Sequence, residues 1–382
     1  MRTLLLAFLL VGLAACAGSE PAPPPALTTA VETVRGIHAP DKRVAIWEVE
    51  SVYRNGRWIV RGRTNLPEAK ADFLRQTGGL GLTDSITVLP AAELGERSYG
   101  VVNLSVANMR SQPKHSAELA TQALLGMPLR VWDVRDDWYL VQSPDGYLAW
   151  LDEGGFTRMN KAEFDEWQAA ERVIYRQDAG FAYAGTERTA PPVSDLVSGN
   201  ILLAVDTVGA YVGLRFPDGR MGWVPEQTVL PVSNWRAQPV PDPATLLATA
   251  ERYLGRPYLW GGTSGKAMDC SGFTKTVFYE YGLQLPRDAS QQVHAGQLIE
   301  TDSTLKNLLP GDLLFFGRAA TAEKKERVWH VGIYQGDGRM IHSAGRVKVN
   351  SLVRGEPDFA EDRLHTLLRA RRMLGHVDRV AG

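Results

Sequence analysis

"GKAMDCSGFTKTVFYEYG", residues 265–282, sets one of only two cysteines in a 382-residue chain between an acid and a serine. Phe273, Val277, Phe278 and Tyr281 recur at helical spacing, which gives the run one apolar face, and Gly282 ends it. Cys270 then falls in the first turn of a helix. Unbonded backbone N–H groups and the positive end of the helix dipole favour a thiolate there, and the same amides can face an oxyanion. A thiol with that task wants a base. "RVWHVGIYQGDGRMIHSAG", residues 327–345, reads as two strands around Gly336-Asp337-Gly338, with His330 opening the first and His342 near the end of the second. Counted outward from Asp337 the two histidines are offset, so contact between them needs a bulge or strand twist. Two strand histidines alone would be ordinary; next to a helix-mouth thiol they become the candidate base and its orienting partner.

Composition bounds the setting. Forty-two basic and 43 acidic side chains leave a net charge of -1, which argues against nucleic acid as a partner. The 37 glycines, 22 prolines and 10 tryptophans suit turn-rich β modules, and the length calls for several domains. Residues 1–16 carry a short charged start and the apolar run "TLLLAFLLVGLAA", too short to span a bilayer, and read as a secretory signal. Leu13-Ala14-Ala15-Cys16 resembles the bacterial lipobox, which implies a lipid-modified Cys16, membrane anchoring and an exported protein of the cell envelope. In a cell with an outer membrane, Ala17 resembles the sorting pattern for that membrane, facing the periplasm. With Cys16 lipidated, Cys270 has no disulfide partner. No cysteine–histidine set has zinc spacing and no phosphate-binding glycine loop appears, so no metal and no cofactor are expected.

Along the chain, a Pro-rich tether (17–28) leads to a small α+β segment (29–90) with a hairpin around "RNGR". An internal repeat follows. "LVQSPDGYLAWLD" at 140–152 aligns without gaps to "GLRFPDGRMGWVP" at 213–225, each with a Pro-Asp-Gly turn and a tryptophan, Trp150 or Trp223. These mark two small all-β barrels over 91–165 and 166–232. A Pro-rich linker (233–244) precedes the last unit, 245–382. The fold class is therefore α+β, an α+β domain preceded by two all-β modules.

Four blocks, "GRPYLWGGTSGKAMDCSGFTKTVFYEYG", "LPRDASQQ", "LLPGDLLFF" and "HVGIYQGDGRMIHSAG", resemble in order and spacing the NlpC/P60 family of papain-like cysteine peptidases, over roughly 245–375. The upstream "VANMRSQPKHSAELATQALLGMPLRVW" resembles the opening of bacterial SH3 (SH3b) domains. The whole chain is similar to γ-D-glutamyl-L-diamino acid endopeptidases, which cut peptidoglycan stem peptides or released muropeptides. The resemblance implies Cys270 as nucleophile, His330 as general base, His342 as the residue orienting it, and Tyr258 at the oxyanion. It implies Asp269 and Ser271 on the substrate backbone, with Glu118, Tyr147, Trp260 and Ser290 around a free N-terminal L-alanine. In the second repeat Arg220 stands where Tyr147 stands in the first, as expected if one module faces the cleft. Two other classes stay open on sequence alone: an inactive wall-binding scaffold, and an amidase or acyltransferase on the same fold.

Overall fold

The structure, a computed structural model, describes residues 21–380; Cys16 lies outside them. The chain forms two compact units, Ile46–Val88 with the described part of Met1–Pro40, and Asp41–Ala45 with Leu89–Gly382. In the first unit, helices α1 (Pro25–His38) and α2 (Pro67–Thr77) accompany a sheet of β1 (Trp47–Arg54), β2 (Arg57–Thr64) and β3 (Thr83–Val88). Asn55 and Gly56, both at positive φ, turn β1 into β2. β3 pairs parallel to β2, which requires a crossover, and α2 supplies it. Trp47 meets Phe73 edge-on at 5.9 Å inside this unit.

The second unit opens with two all-β modules. The first has β4 (Tyr99–Val102), β5 (Val106–Arg110), β6 (Leu119–Leu124), β7 (Pro128–Arg135), β8 (Trp138–Gln142), β9 (Leu148–Asp152) and β10 (Phe156–Met159). After α3 (Lys161–Ala169) the second has β11 (Arg172–Tyr175), β12 (Ala179–Tyr183), β13 (Pro192–Val197), β14 (Ile201–Val208), β15 (Tyr211–Arg215), β16 (Met221–Pro225) and β17 (Val229–Pro231). Their strand orders, β10-β4-β7-β8-β9-β5-β6 and β13-β12-β16-β15-β14-β11-β17, are one pattern read in opposite directions. The repeat seen in the sequence is thus a repeat of topology. Each Pro-Asp-Gly segment joins the matching hairpin, β8–β9 or β15–β16, with its glycine at positive φ. Both sheets are open rather than closed barrels: among the described residues their end strands do not pair with each other.

Helices α4 (Val232–Arg236) and α5 (Pro243–Glu251) lead into the last domain. Asp242 caps α5 through the Thr245 amide, and Pro243 takes a position where its missing N–H costs nothing. A short hairpin, β18 (Thr263–Ser264) and β19 (Ala267–Met268), precedes α6 (Cys270–Tyr279) and α7 (Ala289–Gln292). An antiparallel sheet follows from β20 (Gln297–Ile299), β21 (Leu313–Arg318), β22 (Arg327–Gly336), β23 (Arg339–Ala344), β24 (Arg346–Ser351) and, after α8 (Glu361–His365), β25 (Leu367–Arg372), in the order β20-β25-β21-β22-β23-β24. The apolar face of α6 packs Phe273, Val277 and Phe278 against Phe315, Val331 and Ile341 of this sheet. Each buried phenylalanine contributes roughly 2–3 kcal/mol of apolar burial. That contact brings the first turn of α6 alongside β22.

Candidate active site

Asp269 caps α6: its carboxylate accepts the Gly272 N–H at 2.7 Å and leaves Cys270 as the first helical residue. Gly272 is dictated by space. A Cβ there would lie 2.0 Å from the Gly262 carbonyl oxygen, so no larger residue lets this helix mouth close on the preceding turn. The free thiol of Cys270 sits beside β22, with the backbone N–H groups of Val331 and Ser271 directed at it. It is buried, at 7% exposure. The expectation of a helix end that depresses the thiol is reversed here. Burial, reinforced by Asp269, pushes Cys270 up to about 11 against the pull of those amides and Arg287. Burial likewise drives His330 well below the ordinary histidine value. Burial thus favours the neutral form of both groups.

The histidines meet through an irregular register. β22 and β23 slip between Tyr334 and Gly336, supplying the bulge that the offset demanded. Gly332 does the rest: a Cβ on it would come within 3.1 Å of the His342 Cβ, so its bare backbone lets the His342 ring lean toward His330. His330 Nε2 and His342 Nδ1 are 2.7 Å apart, and His342 Nε2 is 2.9 Å from Asn350 Oδ1. The protons can be assigned from the far end of this line. Asn350 spends its amide N–H on the Asp358 carbonyl, so its oxygen faces His342. His342 therefore donates from Nε2 and accepts at Nδ1, and His330 donates from Nε2. The lone pair of His330 is left on Nδ1. Burial, partly offset by Asn350, lowers His342 to about 4, which keeps it neutral in this role.

Tyr258 carries a phenol pushed up to about 12 by burial and by the neighbouring Cys270 and Asp269. It stays an O–H donor within electrostatic reach of the sulfur. Asp269 and Ser271 were expected to hold a substrate backbone, but their side chains are engaged internally. Asp269 pairs with fully buried Arg287 at 2.6 Å and accepts the Gly261 N–H, while Ser271 accepts from Arg287 at 3.1 Å. Burial acts to lower Arg287, yet Asp269 holds it firmly protonated. Arg287 also reaches Thr121 of the first β module, tying β6 to the floor of the site.

The four residues expected around an N-terminal amine come from two domains, and Arg43 joins them from a third stretch of chain. Trp260, exposed, donates its indole N–H to Glu118 at 2.6 Å across the seam between the first module and the last domain. Tyr147 is buried on that module and donates its hydroxyl to Asp288 at 3.2 Å. Ser290 faces Arg43, whose guanidinium lies 2.8 Å from its hydroxyl and 2.7 Å from Asp288. Arg43 reaches this place because its carbonyl accepts the Leu148 N–H, which docks the Asp41–Ala45 segment along β9. Glu118–Trp260 and Tyr147–Asp288–Arg43–Ser290 form two separate hydrogen-bonded groups. In the second module Arg220 pairs with Asp218 and donates to the Asn103 carbonyl of the first module. Sequence reasoning missed Arg287 and Asp288, although both stand in the "LPRDASQQ" block, and it missed Asn350 and Arg43, which no motif announced.

A buried thiol at a helix mouth, backed by a histidine pair and an amide on an adjacent sheet, defines a papain-like thiol hydrolase site. Residues 255–364 match the NlpC/P60 family, and residues 109–155 match the bacterial dipeptidyl-peptidase Sh3 domain. A γ-D-glutamyl-L-lysine dipeptidyl-peptidase of Bacillus cereus is 32% identical over 235 residues, 59% of this chain and 67% of that one. The protein of the same name from Bacillus subtilis is 30% identical over 236 residues, 59% of this chain and 72% of its own. The crystal structure of an NlpC/P60 family protein from Bacillus cereus superimposes with a TM-score of 0.61 at 26% identity, covering 72% of this chain and 100% of that one. The chain belongs to the NlpC/P60 peptidase family and is a hydrolase with an SH3b-like region ahead of its α+β domain.

Proposed function

We propose that this hydrolase is a cysteine endopeptidase that cuts the γ-D-glutamyl–diamino acid bond of peptidoglycan stem peptides, held at the cell envelope by lipid on Cys16. Two observations carry the reading: the ordered line Asn350–His342–His330, and a Cys270 thiol that receives the backbone N–H of Val331, the residue next to His330 on β22. In the reaction the thiol proton passes to His330 Nδ1 as Sγ bonds to the γ-carbonyl carbon. The oxyanion takes the Tyr258 hydroxyl and the Cys270 amide. Collapse breaks the C–N bond while His330 returns its proton to the departing amine. A water then gives one proton to His330, its oxygen adds to the thioester carbon, and the thiol leaves with a γ-carboxylic acid as the other product. His342 and Asn350 hold the imidazole in the required tautomer.

Glu118, a carboxylate held by the neutral Trp260 indole N–H, suits a substrate that begins with a free ammonium group such as that of L-alanine, while Asp288 is shared between Tyr147 and Arg43. Trp260 and Ser290 wall this end. Asp269 and Ser271 act through Arg287 and present backbone rather than side-chain groups to a ligand. Purified chain incubated with L-Ala-γ-D-Glu-diamino acid peptides should release the dipeptide, with Cys270→Ala lowering turnover at least about a thousandfold. N-acetylated peptide should be cut far more slowly than free peptide. Binding without turnover by the unmodified chain would leave only a scaffold.

A further inference from the structure

Arg172, the first residue of β11, is 8% exposed and forms no ion pair among the described residues. Its Nη1 and Nη2 donate to the Gln168 side chain and carbonyl at 2.6 and 2.7 Å, closing the last turn of α3. Its Nε lies buried with no hydrogen-bond partner among the described residues. A second guanidinium, that of Arg236 at the end of α4, is close enough to oppose the Arg172 charge, and burial opposes it further. The acids nearby give no relief: Asp145 is paired with Lys275, Glu171 is exposed, and neither offsets the charge on Arg172. Tyr279, the last residue of α6, lies within electrostatic reach of both arginines, and burial keeps its phenol protonated. Among the described residues the Tyr279 hydroxyl makes no hydrogen bond. Capping α3 needs no burial of a guanidinium, and a desolvated charge with an unmade hydrogen bond is costly. The arrangement suits a ligand that brings a negative charge.

Two cavities meet at the arginine pair. Arg172 and Arg236 line a small cavity of about 40 Å³ together with Tyr279, and both also line an open cleft of about 530 Å³ beside the end of α3. One water takes about 10–15 Å³ of such space, so the first admits only a few oxygen-sized atoms and the second a whole small molecule. The cleft has short apolar walls, Ala169, Ala170, Ala204, Val212, Pro231 and Val232. We infer that Arg172 and Arg236 bind a carboxylate, with the Arg172 Nε–H and the Tyr279 hydroxyl as further donors, and that the small apolar body bearing it lies in the cleft. A planar carboxylate matches the edge of a guanidinium and needs less room than a tetrahedral oxyanion. The site sits at the C-terminal end of α6, about 14 Å along the helix from Cys270, and uses no group of the proposed peptidase chemistry. A peptide C-terminus and an acyl chain both present such a carboxylate, and two probes separate them.

The purified chain is titrated by calorimetry, and its thermal unfolding followed, with sodium hexanoate and with N-acetylalanylalanine. Hexanamide, the peptide amide and sodium chloride at matched ionic strength are the controls. A bound carboxylate should saturate, raise the thermal midpoint and lead its amide by about 10- to 100-fold in Kd. The tighter of the two acids assigns the source. Cys270→Ala should bind it unchanged, which separates this site from the thiol. Arg172→Met should abolish binding, and, having lost a buried cation without an ion pair, should unfold no earlier than the unmodified chain when no ligand is added. Arg236→Met leaves the α3 cap intact and should weaken binding about tenfold. Equal affinity for acid and amide overturns the site, as does saturable binding of neither acid. So does binding that keeps full strength in either methionine variant, or that Cys270→Ala removes. An Arg172→Met chain that unfolds earlier, with no carboxylate-dependent shift in the unmodified chain, overturns it too by reducing Arg172 to a helix cap.

Discussion

The Cys270 sulfur feels two opposed influences, and their sizes decide its state. Helix-mouth amides favour the thiolate by an effect typically below about 1 kcal/mol, whereas burial of an ionised group costs several. Burial wins, and the thiol stands near 11 while His330 lies below its usual value. The pH profile follows with a definite sign. On the acid side His330 loses its capacity as a base only below 6.5; on the alkaline side thiol and phenol persist toward 11 and 12. The enzyme's own groups should therefore impose only an acid limb on kcat/KM, and any fall on the alkaline side should follow the substrate's ammonium at about 8. An acid limb with its midpoint above 6.5 would contradict the neutral forms that burial favours. The residue types were readable in the sequence, since a lone cysteine at a helix start and two histidines flanking a turn are local patterns. The depth of burial was not, because it depends on α6 lying flat on a sheet assembled from residues 297–372.

At the scale of the element, the helix α6 and the β22–β23 hairpin deliver the groups, and each depends on a glycine without a side chain to spare. Gly272 has backbone, not a flexible side chain, in the path of a Cβ. Gly272→Ala should therefore force the first turn of α6 away from Gly262, at a cost of about 1–3 kcal/mol, and should lower kcat more than tenfold by displacing the thiol. Thermal unfolding and single-turnover kinetics measure the two effects. A variant with wild-type kcat would show that the helix mouth tolerates movement. The helix was visible from its apolar spacing and the hairpin from its turn. The bulge that brings the histidines together was recognised as a need but had no residue to mark it, since register shifts arise from pairing across strands rather than from a local signal.

For the second unit as a whole, the site is assembled from separate stretches of chain. The Pro-Asp-Gly turn of the first module docks against α6 through Asp145 and Lys275, 2.8 Å apart and both largely buried, whereas its counterpart in the second module pairs Asp218 with Arg220, which reaches the first module at the Asn103 carbonyl. Burial tends to raise the Asp145 carboxyl, but Lys275, Ser143 and the Tyr147 amide hold it below the usual value. The pair's stabilisation is thus complete above the unfolded value of about 3.8 and is lost as pH falls through the lower folded value. Asp145→Ala should cost about 3 kcal/mol near neutral pH, because the Lys275 ammonium would stay buried with only the Leu285 carbonyl as partner. Denaturant titration at neutral pH and near pH 3 should show the gap to wild type narrowing in acid; a gap independent of pH would refute the electrostatic account.

By itself the sequence determined the parts: a helix with a thiol at its mouth, a hairpin with two histidines, a duplicated Pro-Asp-Gly strand pair, and the order of the modules. These are encoded in short-range periodicity and turn chemistry, which neighbouring residues alone dictate. The tertiary structure decided which parts touch. It set Tyr147 against Asp288, brought Arg43 from far upstream onto the same carboxylate, and spent Asp269 on a buried arginine. Such pairings join residues up to 245 positions apart. They are fixed by how the modules close over one another and by where each charge can find a counter-charge once water is removed.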